Sequence, residues 1–386
     1  MTNDPSPPPS DRRRLLVVSA TVGSGHNSVA RALIEQFRRA APNVRTESVD
    51  VMQFASRAFR SYYAGGFALG MTALPRAFGM GFAITNRPQR PTRSLIERTR
   101  LAMEWAAMSR FREYLLANRF DAILHTHFLA PPVVDRMIQQ GLLTLPQFVA
   151  VTDVEVHRFW YSRGVDHWFV PSEHSSKPFI RWGIDSQRIT VSGIPIHPKW
   201  SEPLDRRQIF QDWRLPGDRA IVLLSGGTEF TCGPVVQIAR QIVTAYPRAY
   251  VVVLAGRNKQ LLADVAAMDE SPVSIVGIGF TDRIHELAEV CSLMVTKPGG
   301  VTTAECLAKG VAMVLTNPVP GHEGGNAEWL CRHGACAIAR TPEDIAGQVA
   351  ALLNDPPRLA AMSAGARGLY RPGAATVAAA VAAAMG

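Results

Sequence analysis

The stretch Leu293-Met-Val-Thr-Lys297-Pro-Gly-Gly300-Val-Thr-Thr-Ala-Glu305-Cys-Leu-Ala-Lys-Gly310, continued by Val311 to Leu315 and then Asn317-Pro-Val-Pro-Gly-His322-Glu-Gly-Gly-Asn326, decides how this 386-residue chain is read. Leu293 to Thr296 is a short apolar run suited to a buried parallel strand. Pro298-Gly299-Gly300 makes a turn, and from Thr302 the composition favours helix. A strand that turns through glycines into a helix aims unpaired backbone N–H groups and the positive end of the helix dipole at one point, which suits a phosphate. Thr302 and Thr303 would add hydroxyl donors there. Glu305, one helical turn further on, would repel a phosphate in contact with it, but it can accept both hydroxyls of a ribose placed beside the phosphates. Together these residues point to a nucleotide diphosphate carrying a sugar. The plainer alternative is an ordinary βαβ unit whose glycines only close a turn. Against it stands the loop from Asn317 to Asn326, which puts two prolines, three glycines, His322, Glu323 and Asn326 at the carboxyl end of the next strand, where open α/β sheets bind ligands.

Working outward, the length exceeds one domain, and an apolar content of 47% is ample for two cores. No run of 18 apolar residues occurs, so the sequence predicts no spanning helix. Residues 1–14, rich in proline and ending Asp11-Arg12-Arg13-Arg14, read as a basic-ended disordered tail and not as a signal peptide. The five cysteines are odd in number and lack a Cys-x-x-Cys pair, which favours buried thiols in a reducing cytoplasm over disulfides or a metal site. Only Cys331 and Cys336 are close.

The net charge of +9 is unevenly placed. Residues 57–115 hold ten arginines, no lysine and three acids, interleaved with Phe59, Tyr62, Tyr63, Phe67 and several methionines. Arginines such as Arg57 and Arg60 among aromatics suit an anionic membrane surface, each basic residue contributing ~1 kcal/mol. A nucleic acid is disfavoured because the apolar content is too high for a phosphate-tracking groove. The alternative is a set of helices packed on the core with a solvated arginine face.

In chain order, Leu15 to Ser19 is a strand leading into Gly23-Ser-Gly25-His26-Asn27-Ser28 and a helix from about Val29, capped by Asn27 or Ser28. Gly23-x-Gly25-x-x-Ser28 followed by Asp50 also fits a weak dinucleotide fingerprint, but His26 stands where a pyrophosphate needs backbone alone. A histidine on such a turn, with an ordinary pKa of ~6.5, suits a general base; its plainer role is to bond a carbonyl at a helix start. Further strands end at His125-Thr126-His127, Thr152-Asp153 with His157, Pro171 and Gly193, alternating with helical patterns, which implies a parallel sheet with helices on both faces. His26, His127, Asp153 and His157 gather on one edge; the spacing lacks a helical ligand pair, which disfavours metal.

A hinge is expected at 201–217, separating an acceptor and membrane domain at 15–200 from a donor domain at 218–372, with an alanine-rich helix at 373–386 for which crossing back onto the first domain is one arrangement. In the donor domain Ser225-Gly226-Gly227-Thr228 offers a second diphosphate cradle, and Gly277-Ile-Gly279-Phe280 can hold a flat base.

With Gly23-Ser-Gly-His26, Val151-Thr-Asp153 with His157 and Trp160, Gly193-Ile-Pro-Ile196, Thr296-Lys-Pro-Gly-Gly300 with Glu305, and Pro320-Gly-His-Glu-Gly-Gly-Asn326 in hand, the chain resembles the diacylglycerol glycosyltransferases of glycosyltransferase family 28, the monogalactosyldiacylglycerol synthases and processive diacylglycerol glucosyltransferases. The resemblance runs nearly end to end. It implies an α/β GT-B fold, two Rossmann-like doubly wound parallel-sheet domains facing across a cleft. It also implies a UDP-sugar donor, diacylglycerol or a related lipid as acceptor, no metal or other cofactor, and peripheral attachment to the cytoplasmic face of the membrane. His26 becomes the base, and Asp153, from its place on the same sheet edge, is a candidate for its orienting carboxylate. Lys297, Gly299, Gly300, Val301, Thr302, Thr303, Gly226 and Gly227 fall at the diphosphate, Glu305 at the ribose, Phe280 at the base, and His322, Glu323 and Asn326 at the sugar. Gly25, His127 and His157 fall on the acceptor side. Relatives often carry Gln where this chain has His322, which leaves the sugar open. Two related activities stay open: an N-acetylglucosaminyltransferase acting on a polyprenyl-linked precursor, which the arginine and aromatic segment fits less well, and a UDP-sugar epimerase, which needs no membrane face. A non-catalytic scaffold would not need both His26 and Glu305.

Overall fold

A computed structural model describes residues 12–21, 23–72, 79–81, 84–86, 95–225, 233–270, 273–316, 318 and 321–386, without the side chains of 64, 66–72 and 96. The chain divides into two compact units, Met1–Pro198 with Pro320–His322 and Pro372–Gly386, and Lys199–Val319 with Glu323–Arg371. The division falls at Pro198, and inside the expected hinge Arg206–Asp212 forms a helix whose cap is Asp205. Asp205 accepts from the N–H groups of Arg207 and Gln208, so a segment rich in proline and charge still orders.

The first unit holds a six-stranded sheet, all of its described pairs parallel: β1 (Arg13–Ser19), β2 (Val44–Asp50), β3 (Ala122–His125), β4 (Gln147–Ala150), β5 (His167–Val170) and β6 (Ile189–Val191), in the order β2-β1-β3-β4-β5-β6. β3 and β4 are buried along their whole length, as strands covered on both faces must be. The order reverses between β1 and β3, so the crevice at that point opens between the loops that follow Ser19 and His125. The terminal helix Gly373–Met385 packs on the helix Gly25–Ala40, and any side chain at Gly373 would meet the Gly193 carbonyl at 2.7 Å.

The second unit repeats the plan with β7 (Ala220–Ser225), β8 (Ala249–Gly256), β9 (Ile275–Gly279), β10 (Leu293–Thr296), β11 (Ala312–Thr316) and β12 (Cys336–Ala339), ordered β12-β11-β10-β7-β8-β9. Counted within the unit this is the 3-2-1-4-5-6 dinucleotide-binding order, with its reversal between β7 and β10. Register sets Thr296 beside Ser225, so the chain leaves both strands at one level of the sheet.

Two expectations change. Cys331 and Cys336 form a disulfide, because the turn at His333–Gly334 brings their Cα atoms to 4.8 Å; Cys291 and Cys306 are free, and Cys232 lies outside the described residues. Within the arginine-rich segment, helices at Arg57–Thr72, Leu95–Ala107 and Ser109–Ala117 do not all face outward. Arg100 is a half-buried partner of the buried Glu97 and Glu104, and Tyr63 stacks on Phe59 and packs against the core, which raises its phenol pKa. Arg57 and Tyr62 are exposed and Arg60 is half-buried; the Phe67 side chain lies outside the described residues.

Candidate functional site

Each unit carries a group of functional side chains where its sheet reverses. In the first, the helix begins at Gly25, earlier than the expected Val29, because Gly23 takes φ +84° and turns the chain in sharply. His26 therefore sits in the first helical turn. Its Nδ1–H donates to the Thr126 carbonyl at 2.8 Å, and Nδ1 also lies 3.2 Å from the Thr152 hydroxyl. A carbonyl can only accept, so the proton is fixed on Nδ1 and the lone pair on Nε2. Desolvation holds the His26 pKa below its ordinary value, with the charge of Asp153 and the Thr126 bond pulling the other way. Asp153 thus acts on His26 through its charge, while the bond that sets the ring's tautomer comes from a backbone carbonyl that no side-chain pattern reveals.

Two aromatic neighbours frame that ring. His127 meets it edge-on at 4.4 Å and Trp160 lies 6.2 Å away. His127 is buried, accepts from the Leu129 N–H through Nδ1, and has its pKa driven well down by desolvation, so it packs here as a neutral ring. His157 caps the short turn Arg158–Trp160 by accepting from Phe159, and its Nε2 meets the Thr85 hydroxyl at 3.0 Å. Asp50, the acid of the dinucleotide fingerprint, is engaged with both Thr21 and the Met52 N–H, which leaves that reading without its ribose contact.

In the second unit the helix after β10 runs Gly300–Lys309, two residues earlier than Thr302, with Gly299 as its cap, a residue with no side chain to bond the first N–H groups. Val301 and Thr302 are half-buried in that first turn. Thr303, expected above as a hydroxyl donor to the phosphates, is buried, and its hydroxyl donates to the carbonyls of Gly299 and Gly300 at 3.0 Å. The expected loop at His322 to Asn326 is the start of a helix, His322–Arg332, placed after Gly321 at φ +108° with Glu323 favourably in its first turn. That helix braces the turn after β10. Asn326, fully buried, donates to the Pro298 carbonyl at 3.2 Å, and Lys297 pairs with Glu323 at 3.3 Å, both side chains about one-tenth exposed.

Glu305 is half-buried, and Lys199, through its charge, and Trp200 favour its ionised form. Burial pushes its pKa up to about 8 against those two opposing influences. Phe280 follows β9, 68% exposed, with the Arg257 guanidinium 4.7 Å above its ring. Gly226 and Gly227 lie outside the described residues.

Two family models match the chain, "Monogalactosyldiacylglycerol (MGDG) synthase" over residues 26–196 and "Glycosyltransferase family 28 C-terminal domain" over residues 221–380. The chain belongs to glycosyltransferase family 28. Among its curated relatives this glycosyltransferase is 29% identical, over 93% of its own length and 90% of the relative's, to the processive diacylglycerol beta-glucosyltransferase of Bacillus cereus strain AH187. Its fold is that of the crystal structure of Acinetobacter baumannii MurG (TM-score 0.60, 16% identity, 97% and 99% of the two chains) and of S. aureus MnaA solved with UDP (TM-score 0.62, 14% identity, 94% of each). Two Rossmann-like domains of the GT-B class account for both sheets. The family 28 motif residues fall where the geometry places them, at the reversal of each sheet. The Thr126 carbonyl, Thr152, Trp200 and Lys199 were missed in the sequence; only the tryptophan in an otherwise polar linker signalled that the linker packs against something.

Proposed function

We propose that this glycosyltransferase moves a hexose from a UDP-sugar to the hydroxyl of diacylglycerol or a similar membrane lipid, with inversion, while bound peripherally to the cytoplasmic face of the membrane. The observation that carries the reading is the fixed tautomer of His26. With Nδ1–H held by the Thr126 carbonyl and the ring kept neutral by burial, Nε2 is ready to take a proton at neutral pH. The acceptor oxygen attacks the anomeric carbon as Nε2 removes its proton. The bond from that carbon to the β-phosphate oxygen breaks, and its electron pair leaves with UDP. The N–H groups of the first helical turn at Gly300–Thr302 and the helix dipole stabilise the charge gained by the diphosphate, a preorganised site that asks for no metal.

The donor assignment draws on Glu305 as acceptor for the ribose hydroxyls and on Phe280 for the base. The acceptor assignment draws on the relatives' names. The membrane assignment draws on Tyr62 and Leu95, 67% and 77% exposed, which share a segment with the exposed Arg57 and Arg98.

UDP release by the purified chain tests the whole reading, with UDP-glucose, UDP-galactose and UDP-N-acetylglucosamine offered in turn, with and without anionic vesicles containing diacylglycerol, and with a chelator in one arm. Release that needs one donor and the diacylglycerol vesicles, undiminished by the chelator, is the expected result. UDP binding without release would move the assignment to another acceptor, and absence of UDP binding would undo the donor site.

A further inference from the structure

The short 3₁₀ turn Arg158–Trp160 is where the arginine-rich segment of residues 57–115 meets the His26 group. Its last residue, Trp160, is buried, with its ring 6.2 Å from that of His26, 6.3 Å from that of His127 and edge-on to Phe128 at 5.5 Å. The bonds that hold this turn have assignable directions. His157 Nδ1 accepts from the Phe159 N–H, so the proton of the neutral ring lies on Nε2, which donates to the Thr85 hydroxyl at 3.0 Å. That hydroxyl donates in turn to the Gly81 carbonyl at 2.6 Å, and a chain of bonds aligned in one direction is mutually strengthening. Asn86 grips the backbone beside it, its Oδ1 accepting from the Arg158 N–H at 2.9 Å and its Nδ2 reaching the Val156 carbonyl at 3.5 Å. Further along the segment the Arg100 guanidinium, paired with Glu97 and Glu104, lies 4.5 Å from the centre of the Phe159 ring. Next to the Thr85 and Asn86 contacts, two apolar side chains face solvent, Met80 at 66% and Ile84 at 49% exposed.

We propose that Thr85 and Asn86 are positioning residues for transfer, carrying the seating of Met80 and Ile84 in an anionic bilayer to the turn that holds Trp160 beside His26. This rests on the readings of His26 as the base and of the first unit as the membrane-bound acceptor domain. The chemistry of the patch selects a bilayer as its partner: apolar side chains in one segment with the exposed Arg57 and Arg98 suit the boundary between acyl chains and anionic headgroups. A turn with few buried contacts opens locally at little cost. The closed turn presents Met80 and Ile84 to the bilayer together, and that difference in affinity shifts the equilibrium toward the bonded form.

Hydrogen–deuterium exchange on the full chain, with and without anionic vesicles free of diacylglycerol, reads the turn directly. In the wild type the vesicles should slow exchange of the Arg158 and Phe159 amides by roughly tenfold. Thr85→Val and Asn86→Leu keep shape and lose the bonds. Each should bind vesicles and UDP within about twofold of the wild type, lose most of that slowing, and transfer to vesicle-borne diacylglycerol with kcat about tenfold lower. Thr85→Ser keeps the hydroxyl and should restore both readings. Slowing that persists in Thr85→Val and Asn86→Leu, or a Thr85→Ser as impaired as Thr85→Val, overturns the proposal while the role of His26 stands. Vesicles that bind the wild type without slowing these amides overturn it as well. Vesicles that do not bind the wild type at all would overturn the membrane reading, and the proposal with it.

Discussion

At the scale of the residue, the catalytic proposal turns on which nitrogen of His26 carries the proton. Because Nδ1–H is committed to the Thr126 carbonyl, His26→Ala should lower transfer by ~10²-fold or more while UDP affinity changes little. Equal losses in both would remove His26 from the role of base. The pH profile gives a second measurement. The base must be neutral, and burial lowers its pKa, so kcat/KM should already be on its plateau at pH 7 and fall only at more acid pH than an ordinary histidine would give. Asp153 opposes that shift by its charge, so Asp153→Asn should move the acid limb lower still and depress the plateau, the lower pKa making a weaker base. An acid limb that stays in place would show that Asp153 does not act on His26. The histidine itself was legible in the sequence as a polar residue set among turn glycines. Its orienting partner was not, since every residue supplies a carbonyl and only the register of β1 with β3 says which one is near.

Elements rather than residues explain which parts of the donor motif's local structure are legible in the sequence and which are not. The strand, turn and helix from Leu293 to Lys309 follow from apolar run, glycines and helix formers, but the helix starts at Gly300 because packing, not propensity, fixes its first turn. That shift of register separates two threonines that look alike in sequence. Thr303 turns inward and bonds the carbonyls of Gly299 and Gly300, whereas Thr302 stays half-buried in the first turn. Thr302→Val should therefore weaken UDP binding by about tenfold, the value of one charge-assisted bond, and leave stability nearly unchanged. Thr303→Val should do the reverse, costing about 1 kcal/mol in unfolding by urea with less than about a threefold change in UDP affinity. The opposite assignment in titration and melt would put Thr303 in the donor site. The same reasoning covers His322–Arg332, where glycines at 324 and 325 suggested a loop; its first turn is held by Asn326 on Pro298 and by the Lys297–Glu323 pair, contacts that span strands and carry no local signature.

The whole molecule carries a charge that its two units do not share equally, and a core that is sensitive to acid. The arginine excess of residues 57–115 should make vesicle binding salt-dependent. At a given salt, Arg57→Ser with Arg98→Ser should weaken binding to anionic vesicles by ~2 kcal/mol and leave UDP affinity alone; equal binding to neutral vesicles would dissolve the argument. Acid sensitivity follows from histidines buried in the neutral state beside β3. His125 donates through Nε2 to Gln147, its Nδ1 has no partner among the described residues, and burial drives its pKa down to about 3. Above the unfolded value of ~6.5 neither state binds the proton, and stability is complete. As pH falls below it, the unfolded chain takes up a proton that the folded chain refuses, so stability drains away at ~1.4 kcal/mol per pH unit until the folded pKa is reached. Between pH 6.5 and 4.5 this single side chain should cost the first unit ~2–3 kcal/mol. His125→Gln removes the titration and can still reach Gln147. In urea it should start less stable at pH 7 yet lose ~2–3 kcal/mol less than the wild type on acidification to pH 4.5, read from the transition of the first unit. Parallel losses in the two proteins would mean that His125 is protonated in the folded state and that the strand is held differently.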